Sequence, residues 1–64
     1  MDMKIDGVEY CDVAGVADLT GVKEATIRKW CRAGDFRRVN VPVKKVMNQW
    51  WVSVPALTDW LHGL

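Results

Sequence analysis

Eight of the nine lysines and arginines in this 64-residue chain lie between positions 23 and 45. They are Lys23, Arg28, Lys29, Arg32, Arg37, Arg38, Lys44 and Lys45, opposed there only by Glu24 and Asp35, so eight cations against two anions leave this segment at +6. The whole-chain charge of +1 conceals this, because residues 1–22 sum to −4 and residues 46–64 to −1. Ammonium and guanidinium groups are donors only and keep their charge at neutral pH, so gathering them on one segment suits one chemistry above others, the recognition of a polyanion.

Other chemistries find little footing. His62 is the sole histidine, and Asp59 three residues before it is a common chance spacing. Nothing resembles a phosphate loop, a nucleophile elbow or a carboxylate pair, so neither catalysis nor a cofactor is expected. Cys11 and Cys31 provide neither a disulfide framework nor, with one distant histidine, a zinc site, and read as small buried thiols. The apolar runs are a few residues long and the start, MDMKIDG, lacks the form of a secretory leader, which predicts a cytoplasmic, nucleoid-associated chain without a membrane partner. A single domain spanning residues 1–64 is expected. A chain this short buries only roughly 60% of its unfolded surface. Half of its residues being hydrophobic, with four tryptophans, therefore matters for folding.

The elements that must position the cations follow from spacing. Met3, Ile5, Val8 and Tyr10 flank Asp6-Gly7 in the pattern of a tiny hairpin. Asp12 offers an oxygen to the free amides of a helix running from 13 to about 20, with Cys11 before it as an apolar staple. Gly21 breaks that helix, Val22 plugs the corner, and a second helix runs from about 23 to 33, ended by Gly34. Ala17, Gly21 and Ile27 meet the spacing of a helix-turn-helix, in which a small residue admits the second helix, a glycine makes the turn and a β-branched residue fills the angle. From Phe36 onward the period changes to alternation: Val39, Val41 and Val43 share one face of an extended segment, and Trp50, Val52 and Val54 one face of another. Residues 42–48 between them read as a seven-residue tip carrying Lys44 and Lys45. Pro55 then opens a short helix with Leu57, Trp60, Leu61 and Leu64 on one stripe. The expected fold is α+β, a small winged helix-turn-helix with two N-terminal helices, a β-hairpin wing and a short closing helix.

Placing residues about 100° apart around the second helix puts Ile27, Trp30 and Cys31 on one side, with Ala25, Arg28, Lys29 and Arg32 on the other and Thr26 on the shoulder. That outer arc suits a DNA major groove, where arginine can donate two hydrogen bonds to guanine and lysine or threonine reaches bases or phosphates. Small Ala25 allows close approach. Lys23 at the helix start, Arg37 and Arg38 at its exit, and Lys44 and Lys45 on the hairpin complete a candidate DNA-binding set. Trp51 alternates away from Trp50 and is expected to lie half-covered by the N-terminal hairpin, with Arg38 across from it.

The stretch VAGVADLTGVKEATIRKWCRAGDF resembles the opening of the MerR superfamily, matching it at Val16, Ala17, Gly21, Val22, Thr26, Ile27, Arg28, Trp30 and Gly34, and VSVPALTDWL is similar to the end of its excisionase-type members. Together these cover roughly residues 10–61. The resemblance implies a winged helix-turn-helix that inserts its second helix in the major groove. Because the chain ends before the long dimerisation helix and effector domain of MerR regulators proper, it implies the minimal excisionase-like form, a factor of phages and mobile elements that binds adjacent sites, bends double-stranded DNA and directs an integrase or other recombinase. The small area one module can bury separately leads to the expectation of cooperative self-association on DNA. A small transcriptional regulator would use the same surface. From a different class, a protein-protein adaptor would use Trp51 with Val43, Val46 and Met47.

Overall fold

In the computed structural model, which describes residues 2–63, four helices pack with one four-stranded antiparallel sheet in an α+β arrangement. Strands β1 (Asp2–Ile5) and β2 (Val8–Cys11) form the first hairpin, pairing Ile5 with Val8 and Met3 with Tyr10. Its turn residues Asp6 and Gly7 both have positive φ, 53° and 79°, the backbone that matches the twist of the strands in a two-residue loop.

Helix α1 (Val13–Thr20) starts where expected, the Asp12 carboxylate accepting from the Gly15 amide at 2.9 Å. It ends at Gly21, whose φ of 75° lets its amide reach back to the Ala17 carbonyl at 2.8 Å. Thr20 ties the corner, donating to the Val16 carbonyl and accepting from the Val22 amide. Helix α2 (Glu24–Ala33) follows, with Lys23 at its cap position and Gly34 closing it at φ 79°.

Beyond Gly34 the structure departs from the alternating pattern. Asp35–Arg38 forms a short helix, α3, with Phe36 buried beneath it and its ring edge-on to Trp30, centroids 5.8 Å apart. Asn40 then turns the chain at φ 62°, and the Val41 amide donates to the Phe36 carbonyl at 2.9 Å. Val39 and Val41 therefore do not share a strand face with Val43: Val41 is buried in the core and Val39 is exposed.

Strands β3 (Val43–Val46) and β4 (Gln49–Ser53) form the second hairpin, whose turn is Met47-Asn48, with φ 51° and 65°. The seven-residue tip is thus two residues long, and Lys44 and Lys45 lie within β3. Residues 44 and 45 alternate along an extended backbone that pairs fully with β4, and this pairing outweighs the loop character of their charges. Val54, expected on the strand face of Trp50 and Val52, instead opens α4 (Val54–His62), with Pro55 in its first turn. Leu57 is the fully buried member of the α4 stripe, and Leu64 lies outside the described residues.

The two hairpins join in the order β1-β2-β4-β3 through Cys11 opposite Val52 and Tyr10 opposite Ser53. Cys11 and Val52 point into the core with Val13, Val16, Ile27, Cys31, Phe36, Val41 and Leu57. The opposite side of the sheet carries Tyr10, Ser53 and Trp51, all buried. Trp51, at 6% exposure, is covered more completely than expected, and its indole Nε1 has no hydrogen-bond partner among the described residues.

Candidate nucleic-acid interface

Helix α2 separates its residues as the spacing predicts. Ile27 and Cys31 are buried, Trp30 and Thr26 are half-buried, and Ala25, Arg28, Lys29 and Arg32 are exposed on one arc. Packing against α1 and the T-shaped contact of Trp30 with Phe36 fix which arc faces out. Two of the segment's cations are already paired: Arg28 donates to Glu24 one turn earlier at 3.1 Å, and Arg38 lies 3.6 Å from Asp35. Arg38 is thus held by its own short helix, not set across from Trp51. Lys23, Lys29, Arg32, Arg37, Lys44 and Lys45 are exposed and form no ion pair among the described residues.

Strand parity divides the two neighbouring lysines. Residues directly opposed in an antiparallel pair point to the same side of the sheet. Lys45 opposes Trp50, and its Nζ sits 5.0 Å from the centroid of the Trp50 ring. Lys44 opposes Trp51 and belongs to the other face. Trp50 packs against the core's edge and borders two hollows beside α2. One, of about 400 Å³, is lined by Asp12, Glu24, Arg28, Asn48 and Gln49; the other, of about 340 Å³, is lined by Arg32, Arg37, Phe36 and Val43. The β3–β4 hairpin is therefore seated alongside α2, with Lys45 on the shared side and Lys44 turned away. A cation over an indole face is stabilised by the ring's quadrupole, by about 0.5 to 1 kcal/mol at exposed sites.

Sequence reasoning did not single out Trp50, Asn48 and Gln49 as part of this surface. The signal for Trp50 was its register with Lys45, which cannot be counted until the turn length is known.

Remaining candidate groups stay apart. Among the described residues no three or more His, Cys, Asp or Glu side chains gather as a metal site, His62 and Asp59 are exposed on α4, and no helix is long and apolar enough to cross a membrane. Cys11 and Cys31 are free and buried, and burial pushes both thiols up to about 11, keeping them neutral. No protein-family model matches the chain, and neither the curated proteins nor the solved structures contain a significant match.

Proposed function

We propose that this chain is a sequence-specific double-stranded DNA-binding protein of winged helix-turn-helix form, in which α2 enters the major groove and the β3–β4 hairpin acts as the wing. Within that class we assign it to the excisionase type, an architectural factor that bends DNA and directs a recombinase. One observation carries the reading: the arc of α2 that faces solvent holds Ala25, Arg28, Lys29 and Arg32 and nothing apolar larger than alanine, while its other arc is anchored in the core. Such a helix is rigid, basic and narrow where it meets its partner, which is what a major groove requires. The adaptor alternative loses its central residue, since Trp51 is buried.

Salt dependence tests the reading. Setting aside Lys44, which faces away, five unpaired cations remain for phosphates: Lys23, Lys29, Arg32, Arg37 and Lys45. Five phosphates neutralised give a slope of log affinity against log salt of roughly −4.5, a loss of about 500-fold between 50 and 200 mM. A binding constant nearly flat across that range contradicts DNA binding.

A further inference from the structure

Met47 breaks two rules at once. It is 92% exposed, far more than any other large apolar residue described, and it occupies the left-handed backbone region at φ 51°, where an unbranched side chain with a Cβ is disfavoured and glycine or asparagine is usual. Two-residue hairpin turns of this kind select Asn-Gly or Asp-Gly, as the first hairpin does at Asp6-Gly7, whereas the second uses Met47-Asn48. Neither folding nor solubility accounts for a methionine there: it covers no core, and asparagine would fit the turn better and be wetter.

Its surroundings point to a use. The turn is only two residues wide, Asn48 and Gln49 beside it are amide side chains able to bond base edges, and both line the same hollow as Arg28 at the start of α2. A tip in that position stands next to whatever groove α2 enters. Proteins that bend DNA insert an apolar side chain between neighbouring bases in the minor groove, unstacking one step, and methionine is among the residues that do so. Its flexible, polarisable chain slips between base faces without a fixed shape.

Building on the DNA-binding reading above, we propose that Met47 is an intercalating wedge that kinks the duplex at a single base step beside the site read by α2. Pyrimidine-purine steps, which unstack most easily, are its preferred targets.

The experiment uses the whole chain with duplexes carrying 2-aminopurine at successive steps and a donor-acceptor pair at the ends, comparing the wild type with Met47→Asn and Met47→Leu. Wild-type binding is expected to raise 2-aminopurine fluorescence at one step and to bend the duplex by an angle on the order of 20 to 90°. Met47→Asn should lose both signals while still binding duplex, and should raise the thermal midpoint by a few degrees by relieving the turn, so misfolding cannot explain the loss. Met47→Leu should keep both. Duplex binding without any unstacked step, or a Met47→Asn variant that bends like the wild type, overturns the wedge and leaves the DNA reading intact. Loss of only two-site cooperativity in Met47→Asn also overturns it, placing Met47 against a neighbouring copy. A wild type that binds no duplex overturns both.

Discussion

Arg28 is the residue through which the groove assignment is most sharply tested, because the free protein already gives it a partner. Its guanidinium lies 3.1 Å from Glu24, in an i,i+4 pair whose side chains are 53% and 48% exposed. A pair this open is worth about 0.3 to 0.5 kcal/mol. A bidentate contact to guanine is worth about 1 to 3 kcal/mol of discrimination. If α2 reads DNA as proposed, guanine should therefore displace Glu24 from Arg28. Arg28→Ala should lower affinity for the preferred site by about 5- to 140-fold and leave affinity for scrambled duplex almost unchanged.

The informative variant is Glu24→Gln. It removes the competing acceptor and an anion from a surface meant for phosphates, so specific binding should tighten by about twofold or more from the freed pair alone. The helix loses the pair and the favourable charge in its first turn, a stability cost of no more than about 1.5 kcal/mol. Fluorescence anisotropy on preferred and scrambled duplexes, with thermal melts of each variant, reads both effects. If Glu24→Gln instead weakens the preferred site while sparing scrambled DNA, Glu24 is itself reading a base, as a carboxylate can from the cytosine amine, and the assignment of Arg28 as the reader fails.

Three further outcomes are expected. Removing the cap with Asp12→Ala should cost about 1 kcal/mol in denaturant melts; because the Gly15 amide lowers the Asp12 carboxyl below its ordinary 3.8, this stability is present above that value and is lost as pH falls through the folded-state value, whereas Asp12→Asn should keep most of the cap and lose the acid dependence. With both thiols raised from 9.0 to about 11, the unfolded chain ionises first, so stability should decline as pH rises between those values and flatten in the Cys11→Ala, Cys31→Ala double variant; native-state alkylation at pH 8 that matches the unfolded rate contradicts the burial. On the proposed function a single module would bury only about 600 to 1,000 Å² of protein surface, too little for tight binding alone, so a protein that sediments as a monomer without DNA should bind two adjacent sites cooperatively; a stable dimer without DNA, or equal affinity per site on one-site and two-site duplexes, contradicts this.

What could be read from the sequence, and what could not, separates by range. Asp6-Gly7, Asp12, Gly21 and Gly34 each state a local backbone requirement, and each occupies the turn or cap it announces. The exposed arc of α2 follows from helical period alone. Alternation in Val39, Val41 and Val43 misled because one left-handed residue, Asn40, ends the periodicity and Val41 is buried by contacts with Phe36 and the core instead of by strand pairing. The Met47-Asn48 turn carries no glycine, so its length was illegible, and with it the parity that puts Lys45 on the α2 side and Lys44 on the other. That the two hairpins fuse into one sheet depends on Cys11 meeting Val52 across forty residues, a contact no local pattern encodes.

The positions that violate local rules are themselves informative. Lys23 occupies the N-cap of α2 with no side-chain cap, where Ser or Asp would satisfy an amide and where a cation opposes the helix dipole. Met47 occupies a turn that asks for asparagine or glycine. Each costs the fold on the order of 1 kcal/mol, in a chain small enough to feel it. Both lie at edges of the surface built by α2 and the β3–β4 hairpin, one at the start of the helix and one at the tip beside the hollow that Arg28 lines. The third irregularity, the unpartnered indole of Trp51, sits on the opposite sheet face and calls for a separate cause. Local conflicts that a folding criterion would remove are expected where function sets the residue. On the proposed function, a cation where a helix would meet phosphates and an apolar side chain where a hairpin would meet stacked bases are conflicts of that kind, and a single DNA-facing surface would account for both.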